Sequence, residues 1–527
     1  MENTRRYPYS NSVSAKAAKT DEADKADTKA KPPRGVFRRL LRFLAWLILL
    51  TAVLLLLLLH PIFVSAFHDA DTRVALQGNE RDDASRMNAT SLSEEVLVPA
   101  DKESLLRELR DLLLRAEREN RQVSIAGARH SMGGHTLYPG GIALDMSHFA
   151  SLEMLDSNTL RAGAGARWHQ VIAFLNQRDL SVGIMQSNNS FSIGGSISVN
   201  CHGWQFGRPP ICDTVEGFTM LMADGELKRC SREENAELFS LALGGYGLFG
   251  VILEVDLTVV PNERYRVEQH VISALDAISF FDEHVAGNEQ VAMAYGRMRI
   301  DREFLLDEIT VSLLHKEAEP VHHQEEVSSA GLRSLRRHLF RGSIYSDYGK
   351  KLRWWAETKA QPHIQAPTVW RNNLMSEPAT VFENRSEDST DILHEYFVPK
   401  SGLDAFILGL YGILDDENEN LLNVTVRHVA KDDTTFLTYA QEDSLAFVML
   451  FHQPRTEAGE ADMQRLASRI IDAAADAGGR YYLPYRLHAS KEQFHRAYPQ
   501  ANEFFKLKRK YDPRERFQNM FYQRYGK

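Results

Sequence analysis

The sequence predicts an α+β protein of two or three domains behind one membrane-spanning helix. Three observations carry this. At 527 residues the chain is too long for one compact core. Short strand-like and helix-like patterns are mixed through most of it, and the later ones suit an antiparallel sheet. One run, "FLAWLILLTAVLLLLLLHPIFVSAF" from Phe43 to Phe67, holds no Asp, Glu, Lys or Arg. At about 1.5 Å per residue, a run of roughly 17 to 25 residues crosses a hydrocarbon layer.

Charge is unevenly spread. Residues 1–42 carry 11 Lys/Arg and 5 Asp/Glu, net +6, and the remainder is net −15. Arg34, Arg38, Arg39 and Arg42 precede the apolar run, and Asp69 and Asp71 follow it. The positive-inside rule places the N-terminus in the cytoplasm and the body on the periplasmic or luminal side. The length of the run favours an uncleaved anchor, with cleavage after Val64-Ser65-Ala66 as the alternative. We therefore expect a disordered basic tail (1–42), an anchor (43–67) and a polar linker (68–90). An acidic body argues against a nucleic-acid partner. Cys201, Cys212 and Cys230 form no CxxC pair, so stability must come from burial.

The body then reads in order. In "DKESLLRELRDLLLRAEREN" the leucines recur at helical spacing, with Asp101 as N-cap. "QVSIAG", "GIALDMS" and "TLRAGAG" read as short strands, and "RWHQVIAFLNQRD" as a helix. "GFTMLMADGELKRC" is a hairpin turning at Asp224-Gly225. "REENAELFSLAL" is helical, and "FGVILEVDLTVV" alternates like a half-buried strand. From about Asn262, "QVAMAYGRMRI", "EITVSLL", "HEYFVP", "NVTVRHVA" and "SLAFVMLFHQ" supply strands of a second, antiparallel domain. Residues 317–350 are polar and weakly patterned, so a mobile insertion is expected.

Two glycine-rich stretches compete as anion sites. "GGYGLFG" has G-x-G-x-x-G at Gly245, Gly247 and Gly250. A dinucleotide loop needs a strand before it and a helix after; here the order is reversed, so it is a turn. "IAGARHSMGGH", Ile125 to His135, follows a strand, and its small residues let backbone N–H groups form a nest. A zinc site at His130 and His135 lacks further ligands, so no metal is expected.

The ordered series "SIAGARHSMGGHT", "SNNSFSIGGSISVNCHG", "VEGFTMLMADGE", "LGGYGLFGVILEVDL" resembles the FAD-binding domain of vanillyl-alcohol-oxidase-type flavoproteins. That family includes alditol oxidase, aldonolactone oxidases, cytokinin dehydrogenase and decaprenylphosphoryl-ribose oxidase. The resemblance implies a PCMH-type FAD-binding domain of two subdomains over 91–262. It also implies an antiparallel-sheet substrate domain over 263–478 and a C-terminal return, 479–527, to the FAD domain. FAD is the implied cofactor. It would be held by Ala126, Gly127, Ala128, Arg129, His130, Ser131, Gly133, Gly194, Gly195, Ser198, His202, Gly250 and Ile252. Relatives with "GHS" here join the histidine to the flavin, so the resemblance implies covalent attachment through His130. His135 is off that position and reads as structural.

For catalysis the resemblance points to Tyr485, Arg427, Glu395 and His202. His202 stands in an "HG" pair near the flavin of sugar-oxidising relatives, as support or as substrate contact. Arg427 lines up with an arginine at the flavin's reactive face in alditol oxidase, though it also suits an exposed strand face. Thr425 replaces a neighbouring family glutamate, which puts polyol specificity in doubt. Glu395 falls where a relative has a substrate-facing glutamine; it binds hydroxyls or pairs with a nearby base. Tyr485 replaces an active-site lysine. It offers a hydrogen bond, or a base if its pKa is lowered. His488 is a weaker candidate and suits the surface, and Cys201 reads as a small buried residue.

The expected activity is membrane-anchored, FAD-dependent oxidation of a CH–OH group of a sugar, sugar lactone, polyol or lipid-linked glycoside. O₂, a quinone or a redox protein would take the electrons. The alternatives are a C=C reductase acting on a lipid and a non-catalytic flavin-binding protein. Flavin bleaching by NAD(P)H would favour the first, and absence of bound flavin the second.

Overall fold

The computed structural model describes residues 34–317, 330–364, 366–416 and 420–527. The expected basic tail lies mostly outside the described residues. The chain divides into two bodies, 1–59 and 60–527. The described part of the first is essentially one helix, α1 (Arg34–Leu58), exposed along its length. Its Phe37–Leu58 stretch is long and apolar enough to cross a membrane.

The expected single run 43–67 is divided. A second helix, α2 (His60–His68), begins at His60-Pro61 and belongs to the larger body. Proline has no N–H for an i→i−4 bond, so the ladder of α1 does not run through it.

The second body opens with β1 (Glu80–Arg81) and β2 (Thr90–Ser91), so the expected linker is ordered where it nears the body. Then follow β3 (Glu94–Leu97), α3 (Lys102–Arg118), β4 (Val123–Ala126) and β5 (Ile142–Asp145). Asp101 caps α3 by accepting from Ser104 N, and Leu105, Leu109, Leu112 and Leu113 are buried. β3, β5 and β4 make a three-stranded parallel sheet.

Next come β6 (Leu152–Met154), β7 (Thr159–Gly163), α4 (Trp168–Asn176), β8 (Leu180–Val182), α5 (Ile193–Ser198), β9 (Val215–Leu221) and β10 (Leu227–Ser231). α6 (Ala236–Ala242) and β11 (Val251–Pro261) close this part. The β9–β10 hairpin turns at Asp224-Gly225, where Gly225 has φ +82°. β11 is buried almost throughout rather than on one face, because it lies between two cores: Val251 and Leu253 pack into one, and Ile252, Val255 and Leu257 into the other.

The later part brings β12 (Arg264–Ser273), α7 (Ala277–His284), β13 (Val291–Met298), β14 (Glu308–Lys316), α8 (Ala330–Arg341), α9 (Asp347–Trp355) and α10 (Gln361–Ile364). Then come β15 (Thr368–Trp370), α11 (Arg371–Leu374), β16 (Ser389–Pro399), α12 (Leu403–Asp416), β17 (Asn420–Val429), β18 (Ser444–Pro454), α13 (Glu457–Asp476) and β19 (Arg480–Tyr481). Eight of these strands form one antiparallel sheet in the order β15-β12-β14-β13-β17-β18-β16-β19. α12 and α13 pack together, and α13 lies on β16, β18 and β19.

The expected mobile insertion is different in kind. Residues 318–329 lie outside the described residues, but α8 and α9 are ordered, with Phe340, Arg337 and Arg353 buried. Arginines that pair internally dilute the apolar periodicity of these helices and hide it in the sequence.

The chain end returns to the first sheet. Val123 N donates to Arg516 O and Gln518 N donates to Val123 O, so residues 516–518 run beside β4.

Candidate active site

A cavity of about 840 Å³ lies in the larger body, and almost every residue singled out from the sequence lines it. That is within the usual range for a cofactor-sized site. Of the residues expected to hold the cofactor or act in catalysis, Gly133 is absent from the lining, and so is the weaker candidate His488.

One half is built from backbone. The loop after β4 runs from Ala126 into Ser131, and Arg129 sits in the left-handed region at φ +53°. Left-handed residues of this kind occur in the turns that form anion nests. Ala128 N donates to Ser192 Oγ (3.2 Å), which ties the loop to the start of α5. The approach is close: a Cβ on Gly127 would lie 2.1 Å from Ser192 Oγ. Gly194, Gly195 and Ser198 of α5 line the same half, as do Tyr246, Gly247, Gly250 and Ile252. The rejected G-x-G-x-x-G is indeed a helix-to-strand turn between α6 and β11, yet two of its glycines face the cavity.

The Arg129 side chain is taken by Glu95 (2.6 Å) and Asp145 (3.2 Å). The His130 ring stacks on Phe191, centroids 4.3 Å apart. Burial, then the nearby Arg167 charge, push its pKa down to about 4. His135 is buried between Tyr246 and Phe521, and burial lowers its pKa to about 3. Among the described residues, Ser131 Oγ and Thr136 Oγ1 are buried without a partner. Free hydroxyls, a small-residue turn through Arg129 and an apolar wall of Val199, Cys201 and Ile252 fit a flavin dinucleotide. Burial pushes the Cys201 thiol up to about 12, so it stays protonated and inert.

The other half is built from side chains on the large sheet. Arg297 pairs in register with Thr425, Thr425 with Val448, and Val448 with Glu395. This row crosses β13, β17, β18 and β16 on one face. Asn423, Leu450 and Leu393 make the next row. All seven line the cavity. Period-2 alternation sends their neighbours Val424, Val426 and Met449 into the core beneath.

Glu395 is 3 % exposed and is the hub. Its Oε1 lies 2.5 Å from His202 Nε2, and Tyr485 Oη donates to its Oε2 at 3.1 Å. Of the two alternatives for Glu395, the pairing with a base is present, with His202, and the side chain also lines the cavity. Burial, then the Glu395 charge, raise the Tyr485 pKa well above its ordinary value. Tyr485 is thus a hydrogen-bond donor and no base, because two adjacent anions in an apolar wall repel.

Arg427 is 9 % exposed, not on an exposed strand face. Its Nη2 donates to Ser187 Oγ (3.0 Å), and its Nε is buried without a partner among the described residues. Burial lowers its pKa, while Glu395 nearby works the other way. Trp204 stacks on Tyr295, centroids 4.7 Å apart, with the indole N–H free among the described residues.

His488 is buried rather than superficial; its Nε2 meets Glu460 Oε1 at 3.0 Å, which also receives Arg486 Nε at 2.9 Å. Arg486 Nη1 reaches Asn88 Oδ1 (2.8 Å).

Sequence reasoning missed the contribution of 73–88. Asp83 Oδ2 accepts from Gly134 N (2.7 Å), and Arg73, Asp82 and Arg86 line the cavity. It also missed Arg297 and Trp204. The signal available was a polar alternation, Asn423, Thr425, Arg427, inside an otherwise apolar strand.

The family comparisons agree with this geometry. A family model described as "FAD binding domain" matches residues 96–231. A second, described as "D-arabinono-1,4-lactone oxidase", matches residues 255–525, just over half the chain. The chain belongs to this aldonolactone oxidase family. Its N-terminal half carries the family's FAD-binding domain, so FAD is its cofactor.

Among its relatives, the "Uncharacterized oxidoreductase ORF5 in fasciation locus" of Rhodococcoides fascians is 27 % identical over 186 residues, 34 % of this chain and 42 % of that protein. The D-arabinono-1,4-lactone oxidase of Yarrowia lipolytica is 25 % identical over 198 residues, 35 % of this chain and 36 % of its own length. The chain thus spans less than half of either relative. L-gulonolactone oxidase of Mus musculus is 21 % identical over 440 residues, 79 % of this chain and 92 % of the mouse protein.

Proposed function

We propose that this family member is a membrane-anchored, FAD-dependent oxidoreductase that oxidises a CH–OH group of a sugar lactone. The observation that carries the reading is Glu395, a buried carboxylate held by His202 and Tyr485 on the cavity wall beside Arg427. Bound FAD supplies the two-electron acceptor. Glu395 takes the proton of the substrate hydroxyl, since a carboxylate has lone pairs beyond the two already engaged. Tyr485 Oη and His202 Nε2 fix its orientation. Arg427, a buried cation with a free Nε, donates to a substrate oxygen and needs that partner to offset its desolvation. Trp204 and Tyr295 give the sugar ring an apolar face.

In this reading His130 is joined to the flavin. A histidine with a pKa near 4 is neutral at pH 7 and keeps a nucleophilic lone pair. Flavin colour should stay with acid-precipitated protein and leave with it in His130→Ala. The helix α1 anchors the body, with its N-terminal side cytoplasmic, by the positive-inside argument. A quinone, O₂ or a redox protein takes the electrons. The division at 91–262, 263–478 and 479–527, with a two-subdomain FAD-binding part, belongs to the same reading.

Anaerobic addition of sugar 1,4-lactones to the purified full chain tests it. The flavin absorbance should bleach with one or more lactones. Bleaching by NAD(P)H alone would replace this reading with a reductase.

A further inference from the structure

The segment that leaves the apolar helix is fastened to the rim of the cavity. α2 starts two residues after α1 ends and packs against α8. The end of α8 comes close enough that a Cβ on Gly342 would lie 2.8 Å from Pro61 O. Ser65 Oγ sits 3.3 Å from His338 Nδ1. Arg337 of α8, 8 % exposed, donates Nε to Asp69 Oδ2 (2.6 Å) and Nη1 to Thr380 O (2.9 Å). A few residues on, Arg73 pairs with Glu383. Arg73, Phe340, Thr380 and Glu383 all line the cavity, and Arg73 and Thr380 are among its exposed lining residues. Breaking a buried ion pair leaves an uncompensated charge, so this attachment is a fixed one.

The same helix pair exposes several large apolar side chains. Phe63 (41 % exposed), Val64 (40 %) and Phe67 (86 %) form one stripe of α2, and Leu335 of α8 is 51 % exposed. Arg336 beside Leu335 is exposed, and Trp355 is exposed at the end of α9, which packs on α2 and α8. Large apolar side chains fringed by arginine and tryptophan suit the headgroup–acyl boundary of a bilayer.

We propose that the α2–α8 face is a bilayer-contacting surface, which sets the Arg73–Thr380 side of the cavity at the headgroup layer. A lipid bilayer is the occupant because α2 continues directly from the helix proposed above to span it. The inference rests on that anchoring reading.

The test uses the full chain in phosphatidylcholine vesicles containing phosphatidylglycerol. Its three native cysteines are buried. Single variants Phe67→Cys, Leu335→Cys and, as control, Leu408→Cys on α12 carry an environment-sensitive fluorophore. Lipid-borne quenchers should reduce emission from positions 67 and 335 several-fold more than from 408. Emission at 335 that is blue-shifted but not quenched by lipid means a second copy covers the face, and overturns the proposal. So does equal quenching at 335 and 408 in a chain that alkaline carbonate leaves in the membrane. If carbonate releases the chain, the anchoring reading fails and this inference falls with it.

Discussion

The two halves of the cavity are made of different material. The half assigned to the cofactor is a loop and a short helix, with backbone N–H groups and glycines at its surface. The half assigned to the substrate is a sheet floor, with side chains from four strands in two rows. Backbone recognition needs a contiguous run of small residues, so it leaves a local mark in the sequence. A side-chain floor needs register between strands far apart in the chain, and register leaves none. Glu395 and His202 are 193 residues apart and meet at 2.5 Å.

This contrast explains what the sequence disclosed. "IAGARHSMGGH" and "IGGSIS" could be read directly, and so could the core of α3 and the five strands named beyond Asn262. Arg427 and Tyr485 were reached only through resemblance, and their environments were not legible. That Arg427 is buried depends on β17 sitting mid-sheet; that Tyr485 is a hydrogen-bond donor depends on Glu395 across the cavity. Arg297 was not found, because its place in the cavity wall comes from facing Thr425. The stretch 73–88 looked like a linker because its polar residues make their bonds to distant partners, as Asp83 does to Gly134.

The two halves should break separately. The largest effect is expected from Glu395→Gln, which keeps the shape and removes the proton acceptor. Turnover should fall by about 10²- to 10⁴-fold, the usual worth of a positioned base. Arg427→Met should weaken kcat/KM for lactone by about 10- to 100-fold, roughly the worth of a hydrogen bond to a charged group. It should also raise Tm, because a buried cation that no carboxylate meets at ion-pair distance among the described residues is replaced by an apolar side chain. A Tm that falls would mean Arg427 is paired in the resting protein.

Gly133→Ala sharpens the boundary. Its Cβ would lie 2.4 Å from Tyr485 O, where the two halves touch. Strain of about 1–3 kcal/mol should appear as a lower Tm, with flavin affinity and turnover both reduced. A variant that alters neither would show that the halves are not in register through this contact.

The smallest effect on turnover is expected at His135, whose signature is in the pH dependence of stability. His135 is held neutral, with a folded pKa of about 3 against 6.5 for an exposed histidine. The unfolded chain therefore binds its proton first. Stability should fall as pH drops from 6.5 toward 3, by up to a few kcal/mol, since each tenfold loss of proton affinity on folding is worth about 1.4 kcal/mol. His135→Phe, which keeps the stacking on Tyr246 and Phe521, should flatten the Tm-against-pH curve between pH 6.5 and 4. An unchanged slope would assign the acid sensitivity elsewhere.

The most direct test of the division of labour is the visible spectrum of full-length Glu395→Gln, recorded before and after anaerobic addition of a lactone that bleaches the parent protein. The account predicts an undiminished flavin band and bleaching slowed by at least about 100-fold. A variant that lacks flavin, or that bleaches at the parental rate, would contradict it.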